Sequence, residues 1–311
     1  MIVKRNFNPI KVWAYIQRPM LIIIFWTLLV WALHEYVFEQ KLVLNFTPIG
    51  IIGSALAIFI GFRNNSAYGR WWEARQLWGG IVNCSRVLAR LIITFTDSHA
   101  HQENYDRDRS EAFKKSMVLK VIAWVHALRL QLRGQSSWEE IEGYLTPEDH
   151  QQVVHTTNQA YALQMLMGKH IYQAMANGTL GGFDSFQMEG QLLALTNYQG
   201  GAERIKNTPL PRQYDFFTRL FVMFFALLLP FGLLGLFPVD YTWLAIPISL
   251  LVAGVFVIME RTGAAIEDPF ENQITDVPLT AICNTIERDL LDALGDTPLP
   301  EKQRPEKGYL D

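Results

Sequence analysis

The sequence predicts an all-α integral membrane protein with four transmembrane helices and a large helical cytosolic region. Four long apolar runs are free of charged residues, which is typical of helices that cross a bilayer. The stretch between the second and third runs is polar and has helical periodicity, with neither strand-like alternation nor an internal repeat. The predicted divisions are an N-terminal cytosolic segment, two transmembrane helices, a cytosolic helical domain, a transmembrane hairpin and a C-terminal cytosolic segment, at 1–18, 19–62, 63–213, 214–262 and 263–311.

The first apolar run follows a basic segment. Residues 1–18 contain no acidic residue, and their basic residues are Lys4, Arg5, Lys11 and Arg18. Basic residues concentrate on the cytosolic side of membrane helices, so we expect the N-terminus in the cytosol. The run from Pro19 to Leu33 is long for a secretory signal, and no small-residue cleavage site follows it. We therefore interpret it as the first transmembrane helix, which ends near Phe38.

The second apolar run, Leu42–Phe62, continues directly into a charged sequence. At a rise of about 1.5 Å per residue, a helix of this length covers about 30 Å of bilayer hydrocarbon. Pro48 is expected near the helix start or at a kink, because proline lacks the N–H that an interior helical position donates. Neither glycine nor proline interrupts the pattern at Arg63, so the helix is predicted to extend into the cytosol.

Two faces of this helix stand out when it is read at a spacing of four residues. Small side chains let a neighbouring helix come close, and they form one stripe at Gly53, Ala57 and Gly61. A second stripe lies about 100° around the helix axis, at Ser54, Ile58 and Phe62. The pattern alone leaves two interpretations open: a helix packed inside a bundle, and a helix that lines a pore.

The other apolar runs and periodic segments complete the predicted architecture. The third and fourth runs, Leu220–Val239 and Tyr241–Met259, are separated by Asp240 alone, which predicts a tight hairpin. Four spans return the chain to the cytosol, where we predict an amphipathic helix over Pro278–Leu294, ended by Gly295. Between the second and third spans we predict a helix start at Thr146-Pro147 and helices at Trp72–Thr94, Glu111–Leu132, Ala160–Ala176 and Phe183–Arg204.

Composition and motifs exclude several function classes. The net charge of −3 and the pI near 6.2 give no indication of nucleic-acid binding. The sequence contains no P-loop, dinucleotide-binding or zinc-protease motif, so we do not expect an enzyme. His99 and His101 could contact a metal, but a solvated loop explains them without one. The apolar runs lack interior ionisable residues, which argues for passive ion movement or for no transport.

Two sequence blocks lie far apart in the chain. The first block is I-G-F-R-N-N-S-A-Y-G-R-W-W-E-A-R, which ends at Arg75, and the second begins with Ile266-Glu267-Asp268-Pro269-Phe270. In order and spacing, over nearly the whole chain, the blocks resemble the bacterial branch of the bestrophin family of ion channels. The resemblance implies a homopentamer in the bacterial inner membrane, with both termini cytosolic, that conducts small monovalent ions passively.

The resemblance also assigns a role to each stripe of the second helix. It implies that Ser54, Ile58 and Phe62 form the hydrophobic neck of a central pore. Narrow apolar constrictions gate by dewetting, so such a neck would be dry when closed. The small-residue stripe would let the flanking helices approach closely. An interpretation of a different class stays open: a membrane-anchored helical scaffold that passes no ion.

The family has a second constriction at the cytosolic exit, usually one apolar side chain per subunit. Alignment puts Asp184 at that place in this chain, next to Phe183. Five carboxylates around a narrow opening would attract cations and repel anions, and bacterial relatives prefer monovalent cations, so the resemblance favours a cation channel. Chloride selectivity, known in animal members, is the alternative. Asp184 could instead cap the helix that begins there and point away from the axis.

A group of acidic residues follows the fourth span, at Glu267, Asp268, Glu271 and Asp276. In animal bestrophins a Pro-Phe at this point leads into a run of acids that binds calcium and activates the channel. This chain keeps Pro269-Phe270, but Asn272-Gln273-Ile274-Thr275 replaces the acid run. Calcium requires several oxygen ligands, so we expect neither calcium gating nor another cofactor. The four acids are interpreted as helix-start and surface residues.

Overall fold

The computed structural model describes residues 1–4, 9–38, 41–101, 103 and 105–311, so Arg5 lies outside the described residues. Within these residues the chain forms nine α-helices, and the predicted all-α class is confirmed. The helices are α1 (Pro9–Tyr36), α2 (Phe46–Thr96), α3 (Arg107–Leu132), α4 (Pro147–Val154), α5 (Gln159–Ala176), α6 (Gly182–Asn207), α7 (Arg212–Leu234), α8 (Ala245–Ile266) and α9 (Leu279–Leu294). The chain divides into two compact units.

The first unit comprises Lys4–Trp71 and Pro209–Asp268, and it holds α1, the first part of α2, α7 and α8. The four predicted spans are confirmed as helices long and apolar enough to cross a membrane, so we call this the membrane unit. α8 packs against α1 and α7, which also pack against each other. Their apolar side chains form one core, whose most buried members include Ile23, Val30, Ala226 and Ala253.

Two boundaries in the membrane unit differ from the prediction. α1 begins at Pro9, so Pro19 lies inside the helix and not at its start. α7 ends at Leu234 and α8 begins at Ala245, with a 3-10 turn between them, so the predicted one-residue hairpin is wrong. Hydropathy does not distinguish the link between α7 and α8 from a transmembrane helix, because several residues of the link are apolar although they are exposed. These residues are Leu236, Val239, Tyr241 and Trp243.

α2 is continuous over 51 residues. Asn45 caps its first turn, since Oδ1 of Asn45 accepts a hydrogen bond from the Thr47 N–H at 2.9 Å. Pro48 lies in that first turn, as predicted, where the N–H that it lacks would have no partner within the helix. The predicted continuation through Arg63 is confirmed, and the segment predicted at Trp72–Thr94 is the second part of the same helix.

The second unit comprises Met1–Val3, Trp72–Thr208 and Pro269–Asp311. We call it the extramembrane unit after the sequence prediction for residues 63–213. None of its described helices α3 to α6 and α9 is a candidate span. α3 is its central helix and packs against α5, α6 and α9. All five residues from Val121 to Val125 are 0% exposed. A helix that is apolar all round needs cover on every side, and the surrounding helices supply it.

The helix ends in this unit follow capping chemistry that is visible in the sequence. Oγ1 of Thr146 accepts a hydrogen bond from the Asp149 N–H at 3.2 Å, so α4 begins as predicted. Asn158 caps α5 in the same way. Gly295 ends α9 with a φ of 78°, a left-handed conformation that glycine adopts without strain.

Candidate functional site

The first candidate feature is the outward face of α2 in the membrane unit. Ser54 is exposed, Ile58 is 63% exposed and Phe62 is 71% exposed. At about 100° per residue, these three positions lie about 180° around the helix from its buried stripe. The buried stripe consists of Gly53, Leu56, Ile60, Arg63 and Ala67. The predicted neck residues therefore form a face that the chain itself leaves uncovered.

The small-residue stripe of α2 is divided between two environments. A Cβ atom added at Gly53 would lie 2.8 Å from the ring of Phe225 on α7, so glycine permits the packing of α2 on α7. Ala57 and Gly61 are exposed, and apart from the nearby backbone of α2 a Cβ added at Gly61 would meet no atom of the described residues within 4 Å. The predicted close approach is thus seen within the chain at Gly53. For Ala57 and Gly61 it stays a prediction about helices of neighbouring subunits.

A buried ion cluster lies on the side of α2 that is opposite to the outward face. Arg63 follows Phe62 in sequence but is only 4% exposed. Its Nη2 donates hydrogen bonds to Asp215 Oδ1 at 2.6 Å and to Glu267 Oε2 at 3.0 Å, and its Nη1 donates to the Glu260 carbonyl oxygen at 3.1 Å. The guanidinium thus joins α2 to α7 and to the end of α8. We call Arg63, Asp215, Glu260 and Glu267 the Arg63 cluster.

Further arginines lie at the outer edge of the cluster. Arg219 donates to Asp215 Oδ2 at 2.8 Å, and Arg212 lies 3.9 Å from Glu267 Oε1. Both arginine side chains are more than half exposed, so solvent weakens their pairing. Arg63 is the buried positive charge that compensates the carboxylates of Asp215 and Glu267. Removing one partner of a buried ion pair costs about 3–5 kcal/mol, because the other charge is left without compensation.

Asn64 adds a second contact between α2 and α8. Its Nδ2 donates a hydrogen bond to the Met259 carbonyl oxygen at 2.9 Å. A Cβ atom added at Gly263 would lie 1.9 Å from Asn64 Oδ1 and 3.2 Å from Arg63 Nη1. Only glycine at position 263 therefore permits this approach. Arg63 and Asn64 together attach α2 to the last turns of α8.

The Arg63 cluster was not predicted from the sequence. The interpretation of Glu267 as a helix-start or surface acid is wrong, because the residue directly follows α8 and is 4% exposed. A usable signal was present on α2, where Arg63 continues the buried apolar stripe three residues after Ile60. A charged residue in register with a buried stripe indicates a paired group, since charged residues are almost never fully buried without a partner.

The residues predicted for the second constriction lie at the start of α6, in the extramembrane unit. Phe183 is 70% exposed. Asp184 is half-buried, and its Oδ2 accepts a hydrogen bond from the Gly181 N–H at 3.1 Å. This is the capping contact that the sequence left open as an alternative. That the Asp184 side chains of several subunits face one opening stays a prediction.

Two other acids of the possible calcium site form ion pairs. Asp268 lies 3.5 Å from Arg70 Nη2, and Glu271 accepts a hydrogen bond from Lys206 at 2.6 Å. With Glu267 held by Arg63, three of the four carboxylates already have cationic partners. Calcium requires several oxygen ligands at once, so these residues do not fit a calcium site. Among the described residues, no group of three or more His, Cys, Asp or Glu side chains is arranged to bind a metal ion.

Asp276 differs from the other three acids, and its interpretation as a surface residue is wrong. It is 2% exposed, and its Oδ2 accepts a hydrogen bond from the Gln273 N–H at 3.1 Å. Its Oδ1 is buried and has no hydrogen-bond partner among the described residues. Burial raises the pKa of Asp276 to about 6, although the backbone N–H donors act in the opposite direction.

A polar network in the extramembrane unit joins α3 to α9. The Tyr144 hydroxyl donates to Glu287 Oε1 at 2.6 Å, and the ring of His126 stacks on that of Tyr144 with centroids 5.8 Å apart. Burial alone would raise the pKa of Glu287, but the His126 ring, whose Nε2 lies 3.3 Å from Glu287 Oε2, and the hydrogen bond from Tyr144 outweigh burial and hold this pKa below its usual value. The network therefore stabilises an ionised carboxylate between the two helices.

The extramembrane unit also presents large apolar side chains to its surroundings on α5 and α6. They are between 52% and 73% exposed, and they are Tyr161, Met165, Tyr172, Phe183, Phe186 and Leu193. α5 packs against α6, so these side chains belong to neighbouring helices. Exposed apolar surface of this extent is typical of sites where proteins associate.

Known protein sequences resemble the chain over most of its length. A family model described as Bacterial/Fungal Bestrophin protein matches residues 9–292. The voltage-dependent anion channel-forming protein YneE of Escherichia coli (strain K12) is 34% identical over 262 residues, which are 84% of this chain and 81% of that protein. The voltage-dependent anion channel-forming protein RSc3414 of Ralstonia nicotianae is 32% identical over 289 residues, 91% of this chain and 89% of that protein.

Solved structures show the same likeness. A crystal structure of a bacterial bestrophin homologue from Klebsiella pneumoniae is 28% identical, with a TM-score of 0.80 over 90% of this chain and 98% of that chain. A single-residue variant of the Klebsiella homologue is 27% identical, with a TM-score of 0.81 over 94% of this chain and 100% of that chain.

Proposed function

The chain belongs to the bestrophin family of ion channels, and from this premise we propose that five copies surround one central pore lined by α2. A single helix cannot enclose a pore, so several chains must share an axis. The observation that carries the proposal is the outward face of α2, where the chain leaves Ile58 and Phe62 uncovered. The opposite side of α2 is occupied by its contacts with α7 and α8.

The neck would consist of three rings of side chains, one ring from each of Ser54, Ile58 and Phe62. None of these residues carries a charge, and the two apolar rings would exclude water when the pore is narrow. The four spans also lack an ionisable residue in the middle of their apolar runs. Such a path fits passive conduction, since proton-coupled transporters and pumps usually have an ionisable group within the membrane.

The exposed apolar side chains of α5 and α6 support the assembly. A water-exposed surface would rarely carry six such residues, and a second copy of the chain would cover them.

The membrane location and orientation are inferred from the basic residues that flank the spans. Lys4 and Arg18 precede the first span and Arg70 and Arg75 follow the second, so we place both sets, and both termini, on the cytosolic side of the bacterial inner membrane.

Small monovalent ions are the proposed permeant species, with cations preferred to anions. Neutral neck rings cannot distinguish ions by the sign of their charge, so selectivity must come from another place. A ring of Asp184 carboxylates at the cytosolic exit would favour cations. Anion selectivity is the second candidate, and one specific observation favours it: the relatives from Escherichia coli and Ralstonia are named as anion channel-forming proteins.

Two measurements test the assembly and the conduction. Native mass spectrometry in mild detergent is expected to give five times the chain mass of 35.7 kDa. Purified protein in liposomes is expected to carry an ion flux under a salt gradient. A monomer or dimer that carries no flux under any gradient would instead support the non-conducting scaffold.

A further inference from the structure

We propose that Arg63 is a positioning residue for the neck: its buried ion pairs fix the rotation of α2 that directs Phe62 away from its own chain and toward the pore axis. The inference rests on the proposed neck and goes beyond it, because it names what holds the neck in place. Arg63 acts through Phe62 and does not itself contact the ion, since its side chain is 2% exposed.

The neck side chains cannot set their own orientation. Ile58 and Phe62 are exposed, so their own side chains make little contact with the chain that would fix their direction. The contact between Gly53 and Phe225 lies nine residues before Phe62, at the other end of the neck. The restraint nearest to Phe62 is the next residue, Arg63.

The contacts of Arg63 are suited to fixing a rotation. Its guanidinium donates to Asp215 on α7, to the Glu260 carbonyl on α8 and to Glu267 just after α8. A planar guanidinium that serves acceptors on two elements is held in one orientation, because its donors form a rigid fork. Asn64 reinforces the attachment through Met259, and Gly263 leaves the space for both side chains.

Small rotations matter at this position. A side chain on an α-helix extends about 5–6 Å from the axis, so a rotation of about 20° moves it by about 2 Å. Every subunit of a ring would move its Phe62 in the same direction. Losing the Arg63 contacts is therefore expected to change the width of the apolar constriction without altering its chemistry.

A purely stabilising role for Arg63 makes a different prediction from a positioning role. If Arg63 only stabilises the fold, its substitution lowers the yield or the melting temperature, and channels that do assemble conduct as before. If it positions Phe62, the conductance of assembled channels changes, and the change requires the Phe62 ring. A double-mutant cycle between positions 62 and 63 separates the two roles.

The test measures single-channel conductance in planar bilayers for the native protein, Phe62→Ala, Arg63→Met and the double variant, each purified as an assembled oligomer. Arg63→Met is expected to change conductance by about twofold or more in the native background, the lower range of coupling between neighbouring residues. In the Phe62→Ala background the same substitution is expected to have no effect. Arg63→Lys, which keeps the charge but not the fork, is expected to lie between native and Arg63→Met.

A matched control uses another arginine of α2. Arg86 is paired with Asp289 and its side chain is 50% exposed, so Arg86→Met is expected to leave conductance unchanged in both backgrounds. Equal fold-changes for Arg63→Met in the two backgrounds would overturn the inference and leave the neck proposal standing. A Phe62→Ala channel with native conductance would overturn the inference, and native conductance of Ile58→Ala as well would overturn the neck proposal.

If Arg63→Met does not assemble, Asn64→Ala replaces it in the same cycle. This variant removes the hydrogen bond to Met259 and leaves every charge of the Arg63 cluster in place. Its conductance effect is expected to be smaller and again to require Phe62. Two results together would overturn the inference. Asn64→Ala would change conductance equally in the Phe62→Ala background, and Arg63→Lys would have native conductance.

Discussion

Phe62 and Arg63 are consecutive residues of α2 with opposite surroundings: Phe62 is 71% exposed, whereas the Arg63 guanidinium lies 2.6 Å from a carboxylate inside the membrane unit. The charge is buried because two carboxylates and a carbonyl compensate it. The ring of Phe62 is exposed on the single chain, so its surroundings are set by the assembly. Substitution of Phe62 therefore probes the environment outside the chain and leaves the folded core intact.

The first prediction concerns the width of the neck. Phe62→Ala is expected to raise single-channel conductance, because it removes an aromatic ring from each subunit and allows water into an apolar constriction. Thermal stability of the single chain is expected to change little, because an exposed side chain contributes little to the core. Bilayer recording and a thermal unfolding assay in detergent give the two readouts.

Leu251 supplies the control for this prediction. It is 70% exposed, close to the value for Phe62, but it lies on α8 and not on α2. Leu251→Ala is expected to leave conductance at the native level. Native currents in both Phe62→Ala and Ile58→Ala would mean that the pore is lined by another face.

The helical architecture could be predicted because its signals are local. Uncharged runs mark the spans, and the ends of helices carry capping residues such as Thr146 and Gly295. The link before α8 could not be predicted by the same means. Its residues Val239 and Trp243 are apolar and exposed but lie outside α7 and α8. Composition alone does not distinguish them from residues of a transmembrane helix.

The candidate site was predictable only in part, because its supports depend on long-range pairing. The exposed stripe of α2 follows from a spacing of four residues. The partners of Arg63 are 152 and 204 positions away in sequence, at Asp215 and Glu267, so no local pattern connects them. Glu267 at the end of an apolar run looks like a solvated flanking charge until the fold brings Arg63 to it.

The second prediction is that micromolar calcium has at most a weak effect on channel opening. The acids that resemble the animal calcium site are held by other groups: Arg63, Arg70 and Lys206 pair with Glu267, Asp268 and Glu271. Open probability is expected to stay within about twofold between calcium-free and micromolar calcium solutions, since calcium needs several free oxygen ligands. A steep activation that disappears in Asp276→Ala would contradict this prediction.

The third prediction is a pH dependence of stability that comes from Asp276. Its pKa is about 6 in the folded protein and 3.8 in its ordinary state, so the folded protein binds this proton more tightly than the unfolded chain. The free energy of unfolding therefore falls as pH rises from about 4 to about 6 and then levels off, as far as this group is concerned. Thermal unfolding in detergent across this range measures the effect.

Asp276→Asn is expected to remove this part of the pH dependence, because the amide does not titrate. Exposed Asp292 on α9 provides the matched control, and Asp292→Asn is expected to keep the native profile. Parallel profiles for the native protein and Asp276→Asn would show that Asp276 does not have a raised pKa in the folded protein.

The fourth prediction concerns the network between α3 and α9. Tyr144→Phe removes the hydroxyl that donates to Glu287 at 2.6 Å, and it is expected to destabilise the protein by about 1.5–3 kcal/mol, the range for hydrogen bonds to charged groups. Tyr172 is 66% exposed, so Tyr172→Phe is expected to stay within about 0.5 kcal/mol of the native protein. Equal unfolding temperatures for the two variants would show that the Tyr144 contact adds no stability.

The last prediction concerns ion selectivity and depends on one property of Asp184. Its carboxylate accepts a hydrogen bond from the Gly181 N–H at 3.1 Å, and the Oδ1 of an asparagine can accept the same bond. Asp184→Asn therefore removes the charge and keeps the cap of α6. Under a NaCl gradient the native channel is expected to reverse near the sodium potential. Asp184→Asn is expected to move the reversal potential toward the chloride potential, because a ring of carboxylates repels anions.

Glu189 lies on another face of α6 and is exposed, so Glu189→Gln is expected to leave the reversal potential unchanged. A native channel that reverses at the chloride potential would establish the anion-selective alternative, and an unmoved potential in Asp184→Asn would place the selectivity determinant elsewhere in the pore.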